Sequence, residues 1–162
     1  MQERFETFTV LINRISRNIR KIKNREMAEY NLKSAHVSCL YYLYSGRGIT
    51  ATDLCARCEE DKATISRALE YLADRGFVKR EKESARRYKS PVLLTEKGLE
   101  VGRKIANKIA AVLDAVSGGL TEEERSAFYR SLAVISGSLE TVLKKREKEE
   151  ETNEAAAVAA FG

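Results

Sequence analysis

Apolar side chains at Phe5, Phe8, Ile12, Ile15, Ile19 and Ile22 step by three and four residues, while Asn13, Arg14, Arg17, Asn18, Arg20 and Lys21 fill the faces between them. That period is helical, and a stripe this narrow makes a seam of the coiled-coil kind, suited to packing against another helix. An amphipathic helix lying on its own core carries the same pattern, so the segment alone leaves both arrangements open.

Ser34 is placed to cap a second helix, Ala35 to about Tyr44, which carries Val37, Leu40, Tyr41 and Leu43 and ends at Gly46 and Gly48. Thr50-Ala51-Thr52-Asp53 spells a capping box and opens a short third helix with Leu54 and Cys58 one turn apart. After Glu59-Glu60-Asp61 a fourth helix runs from about Lys62 to Arg75. Its core stripe is Ile65, Leu69 and Leu72; Ala63, Arg67, Glu70 and Asp74 lie opposite, and Gly76 stands where a left-handed cap is expected. Two short helices separated by a few residues, the second polar on its outer face, predict a helix-turn-helix.

The period then changes. Phe77–Lys82 and Lys89–Thr95 read as short strands around Glu83-Ser84-Ala85-Arg86-Arg87-Tyr88, a hairpin with a basic tip, which directly after a helix-turn-helix is a wing. Pro91 offers no backbone donor, so its strand must expose an edge there or bulge. Thr95 caps a long helix from Glu96 to about Ser117 with Ile105, Ile109, Val112 and Val116 in line, and Gly118-Gly119 breaks it. Thr121-Glu122-Glu123-Glu124 is a second capping box, and the helix it opens carries Phe128, Leu132, Ile135, Leu139 and Val142 in a second narrow seam. From Glu147 the chain turns Glu/Lys-rich and then Ala-rich, the composition of a solvated, frayed tail.

Composition adds bounds. A chain of 162 residues with 43% hydrophobic content supports one compact domain with extensions, and one Pro with nine Gly leaves little for a turn-rich all-β fold. The net charge of +5 permits a nucleic-acid partner without demanding one. Met1-Gln2-Glu3-Arg4-Phe5 lacks the basic flank and apolar run of a secretion signal, and no stretch approaches the ~18 apolar residues of a membrane span. Three cysteines without such a signal fit reduced thiols. The expectation is a cytoplasmic protein with no membrane partner.

The order of long helix, short helices, helix-turn-helix, basic wing and two long helices resembles the MarR family of transcription regulators, over roughly Phe5 to Arg146. Its most specific pieces are Asp61-Lys62-Ala63-Thr64-Ile65-Ser66-Arg67, Leu72-Ala73-Asp74-Arg75-Gly76-Phe77-Val78 and Leu94-Thr95-Glu96-Lys97-Gly98. The resemblance implies a mainly α fold with a small β-hairpin wing. It divides into an N-terminal dimerisation helix (1–29), a winged helix-turn-helix DNA-binding domain (30–98), C-terminal dimerisation helices (99–146) and a flexible tail (147–162). It further implies a homodimer on double-stranded DNA, a repressor at a pseudo-palindromic operator, with recognition helices about one helical turn apart, roughly 34–36 Å. Two departures stand out. The wing tip Ser84-Ala85-Arg86-Arg87-Tyr88 has no Asp where relatives pair an acid with the wing arginine, and Glu60 replaces a small apolar residue in the turn.

Reading DNA requires donors aimed at phosphates and side chains that reach base edges. Lys62, Thr64, Ser66 and Arg67 lie in the first two turns of the fourth helix, the end that enters the major groove. Arg67 is the candidate for a guanine edge, which a guanidinium grips in a bidentate way. Arg86 and Arg87 at the wing tip suit a minor groove, and Lys79, Arg80, Lys82 and Lys89 suit phosphates. Without context, any one of these is an ordinary solvated charge.

Cys55-Ala56-Arg57-Cys58 is a C-x-x-C, yet as a zinc half-site it finds only Cys39 and His36 as further soft ligands, and as a redox pair it lacks a strand-helix context. Against the family pattern both cysteines fall where Ala and Leu pack the third helix on the fourth. Relatives hold small aromatic or anionic effectors between dimerisation helices and winged domain; Tyr30, His36, Tyr41 and Tyr42 are the candidates for such a pocket, although aromatics at helical spacing usually belong to a core. His36 is the single histidine, and no phosphate loop or catalytic triad stands out, so neither an enzyme nor a cofactor or metal is expected. The rival readings are a regulator that senses thiol oxidation and a winged-helix module used mainly for protein contacts.

Overall fold

The computed structural model describes residues 2–79 and 90–160. Six α-helices and one hairpin follow in order: α1 (Gln2–Glu26), a single 3₁₀ turn (Ala28–Tyr30), α2 (Ser34–Ser45), α3 (Ala51–Cys58), α4 (Lys62–Asp74), β1 (Val78–Lys79), β2 (Leu93–Leu94), α5 (Glu96–Ser117) and α6 (Glu122–Ala160). This is the mainly α, small-hairpin architecture that the patterning predicted. Two compact units divide the chain, residues 1–112 and 113–162.

The core of the first unit is built where α2, α3 and α4 cross. Leu40, Leu54, Ile65 and Leu72 are wholly buried there, closed by Phe77 and Val78 from the hairpin side, Met27 and Leu32 from the turn after α1, and Val101 and Ile105 from α5. In α4 the buried stripe is Ile65, Ala68 and Leu72; Leu69, expected in the core, is half-buried beside it. Among the described residues no buried apolar side chain lies outside Met27–Ile105.

Local chemistry fixes the ends. Thr50 and Asp53 close a reciprocal box, with the Thr50 amide donating to Asp53 Oδ2 at 2.8 Å and the Asp53 amide to Thr50 Oγ1 at 3.2 Å. Thr121 and Glu124 repeat it at α6. The start of α2 differs from expectation. Ser34 is already helical and gives its amide to Asn24 Oδ1 at 2.7 Å, a tertiary acceptor on α1, so the cap passes to Lys33. A lysine ammonium cannot accept a hydrogen bond; instead His36 Nδ1 accepts the Lys33 amide at 3.1 Å.

The hairpin pairs Val78 with Leu94 and Lys79 with Leu93, antiparallel. β2 is shorter than the sequence suggested, whereas β1 runs to the last described residue before Arg80–Lys89, which lie outside the described residues. Pro91 forms an isolated bridge with Thr50 and the next amide, Val92, donates to Ile49 O at 2.9 Å, so the donor missing at proline costs no ladder bond. Gly98 lets α5 lie against this hairpin: a Cβ there would stand 1.9 Å from the Phe77 carbonyl oxygen.

α1 and α6 differ from the core helices. Phe8, Ile12, Ile15 and Ile19 on α1 are exposed, Ile15 and Ile19 at 48% and 49%, and so are Phe128, Leu139 and Val142 on α6. α6 also continues through residues 147–160, the stretch whose composition suggested a tail; to residue 152 it is fully exposed, and Lys145 pairs with Glu149 one turn on. No helix among the described residues is long and apolar enough to cross a membrane.

Candidate nucleic-acid interface

The first two turns of α4 are ordered by an acid that the sequence reading passed over. Asp61 is the N-cap: Oδ1 accepts the Thr64 amide at 2.7 Å and Oδ2 the Thr64 hydroxyl at 3.0 Å. These bonds, from the Thr64 amide first and then its hydroxyl, hold the Asp61 carboxyl below the usual carboxylate range; the Ala63 amide and the Arg67 guanidinium add to the effect. Arg67 Nη2 donates in turn to Thr64 Oγ1 at 3.3 Å. Asp61, Thr64 and Arg67, spaced three apart, therefore form one hydrogen-bonded row along the outer face of the helix. The D-x-x-T spacing before an apolar run was the available signal.

Lys62, Ala63 and Arg67 are exposed on this face, while Thr64 and Ser66 are half-buried at its margins. The first two turns thus present Lys62, Arg67 and the Thr64 and Ser66 hydroxyls, beside a helix N-terminus that Asp61 caps. That combination suits an anionic partner.

The far end of α4 is fixed as firmly. Gly76 sits at φ +72°, in the left-handed region, and allows the Phe77 amide to reach Leu72 O at 2.8 Å and the Gly76 amide to reach Ala73 O at 2.9 Å, the paired bonds of a Schellman turn. Thr95 Oγ1 donates to Gly76 O at 2.7 Å, and Lys97 donates to Arg75 O at 2.8 Å with its ammonium 4.3 Å from the Phe77 ring centroid. The base of the hairpin and the start of α5 therefore hold the end of α4, which gives the Leu94–Gly98 segment its physical role. On its side, α4 is braced by Tyr71, whose ring stacks on His36 at 4.2 Å, lies under the Arg75 guanidinium at 5.1 Å and whose hydroxyl donates to Asn31 O at 2.7 Å.

The wing candidates Lys82, Arg86, Arg87 and Lys89 lie outside the described residues, as does Arg80; Lys79, the last described residue of β1, is exposed. The four pocket candidates fall into three settings. His36 belongs to the Tyr71 stack. Tyr30 accepts a hydrogen bond from Lys104 at 2.8 Å, and Tyr41 and Tyr42 meet edge-on at 5.3 Å, with Arg57 over the Tyr42 ring. Burial, and then the Lys33 ammonium, push the His36 imidazole below its ordinary value. Among the described residues no three His, Cys, Asp or Glu converge as a metal set.

Residues 30–87 match the MarR family. Among solved structures, a transcriptional regulator of that family from Silicibacter pomeroyi is 30% identical, with a TM-score of 0.66 over 77% of this chain and 84% of that one. A MarR protein from Peptoclostridium difficile (22% identical, TM-score 0.74, 83% and 88% of the two chains) and the S. aureus MepR–DNA complex (19%, 0.73, 82% and 97%) share the fold. None of the curated proteins matches.

Proposed function

The chain belongs to the MarR family of transcription regulators, and from that premise we propose that it binds double-stranded DNA as a homodimer and represses transcription from a pseudo-palindromic operator. The observation that carries the reading is the row Asp61–Thr64–Arg67 with Lys62 beside it, a preset helix N-terminus that exposes Lys62 and Arg67 next to the Thr64 and Ser66 hydroxyls. Asp61 holds Thr64, and the 3.3 Å bond from Arg67 to Thr64 Oγ1 is one that a base edge can replace. Lys62 meets a phosphate, Thr64 and Ser66 serve phosphate or base, and Arg67 takes a guanine O6/N7 edge. Arg86 and Arg87 enter the minor groove while Lys82 and Lys89 hold phosphates. The S. aureus MepR–DNA complex, which holds a protein of the same fold, supports DNA as the partner class.

The two exposed seams, on α1 and on α6, support the homodimer. A soluble monomer has no use for contiguous apolar stripes at both ends of its chain, and a second copy buries both. A small aromatic or anionic effector that releases the DNA, held near Tyr30, His36, Tyr41 or Tyr42, and a cytoplasmic location complete the proposal; it assigns the chain no catalytic residue.

Selection from random duplexes tests it. Enrichment of a pseudo-palindrome is the expected result. A dimer that enriches no sequence overturns it in favour of a module used for protein contacts.

A further inference from the structure

The chain between α1 and the first turn of α2 grips α4 at one residue, Tyr71, and does so twice. The Tyr71 phenol donates to Asn31 O at 2.7 Å, where Asn31 holds a left-handed φ of +55°. Its ring lies flat on His36, with centroids 4.2 Å apart and planes within 2° of parallel. Tyr71 follows Arg67 by one turn of α4, so the two share a stripe of that helix. Whatever moves Tyr71 therefore moves the residue assigned to the base edge.

His36 is itself held by a bond that a proton destroys. Its Nδ1 accepts the Lys33 amide at 3.1 Å, while the next amide, that of Ser34, goes to Asn24 Oδ1 on α1. An imidazole that accepts at Nδ1 carries its proton on Nε2. A second proton turns Nδ1 into a donor aimed at another donor, and the Lys33 amide loses its partner. The groups facing the ring favour the same outcome. From the start of α2 the Lys33 ammonium repels an imidazolium, and no carboxylate among the described residues counters it. From α4 comes the Tyr71 ring, which already lies under the Arg75 guanidinium at 5.1 Å. α1 contributes only the neutral Asn24 amide beside it. His36 is also the single histidine of the chain, and histidine is the one side chain that ordinarily changes charge between pH 5 and 8.

We propose that His36 is a positioning residue for the recognition helix, and that protonating it frees Tyr71, loosens α4 and weakens the hold on duplex DNA. The inference rests on the DNA-binding reading above. The neutral ring ties the first turn of α2 to the last turns of α4, and one proton at Nδ1 undoes both contacts. Linkage fixes the sign. The state that binds DNA is the one with the neutral ring, so binding disfavours the proton and affinity falls as pH drops through the histidine midpoint.

The first arm of the test is free of DNA, so its failure is separate from that of the proposed function. An NMR titration of the full chain from pH 7.5 to 5 follows its one imidazole. The midpoint is expected below the ordinary value of about 6.5, and the amides of Lys33 and of Lys62–Asp74 are expected to shift with it. Amides of α4 that stay still through the imidazole titration overturn the proposal. In the second arm, affinity for the selected duplex at fixed ionic strength is expected to fall several-fold from pH 7.5 to 5.5, and to recover on return. The slope against salt is expected to stay the same, because no phosphate contact is lost. His36→Asn keeps an oxygen for the Lys33 amide at either pH and is expected to abolish the fall, which a merely structural role would not do. An equal fall in the variant, or tighter binding at pH 5.5, overturns the proposal, and the wild-type titration decides it even if the variant fails to fold.

Discussion

At the scale of single residues, His36 joins stability to pH. Its Nδ1 accepts the Lys33 amide only when unprotonated, and its ring lies flat on Tyr71. Because its folded pKa is lowered, the unfolded chain binds the extra proton first, and the stability that His36 contributes is present above about pH 6.5 and lost as pH falls through the folded value. The cap carboxylates Asp53 and Asp61 are also depressed, but they lose their contribution in a separate window, below about pH 4. Urea unfolding between pH 7.5 and 5 is expected to show a decline that His36→Asn removes; an equal decline in the variant would contradict the assignment. The proposed DNA contacts separate at this scale as well. Arg67→Ala is expected to relax base preference at one position by about 1–3 kcal/mol. The double change Arg86→Ala, Arg87→Ala is expected to weaken all duplexes and lower the salt slope by about two. A salt titration of binding to matched and mismatched duplexes checks both.

At the scale of elements, α4 owes its position less to its own sequence than to what holds its two ends. Gly98 is the tightest point, since α5 passes the Phe77 carbonyl too closely for any side chain. Gly98→Ala is therefore expected to cost about 1–3 kcal/mol or more, as overpacking does, and to reduce DNA binding by shifting the base of the wing. Unfolding of the variant at wild-type denaturant concentration would disprove that tight contact. Elements with local causes were legible from sequence: the boxes at Thr50 and Thr121, the Gly76 turn and the helical period of each seam depend on residues a few positions apart. What escaped depends on distant partners. Ser34 lost its capping role because Asn24 takes its amide, and Ala68 takes the core position while Leu69 packs half-buried against it. The Tyr71–His36 stack joins residues that no local period relates. Of the candidate interface, the helix bearing Lys62–Arg67 could be read directly, whereas the Asp61 row needed its geometry.

At the scale of the whole molecule, the distribution of exposed apolar surface is the decisive feature. The core closes among residues 27–105, while the stripes on α1 and α6 remain outside it. Ile15→Glu with Ile19→Glu places like charges in one seam and is expected to give a folded single chain by sedimentation, with DNA affinity lowered by loss of the second reading head. A doubly substituted protein that stays dimeric would remove α1 from the interface. The central claim, that two recognition helices read one face of a duplex, is tested most directly by a hydroxyl-radical footprint of the wild-type protein on its selected sequence. Two protected clusters, centred about 10–10.5 base pairs apart on the same face, are predicted; one cluster, or two on opposite faces, would contradict the account.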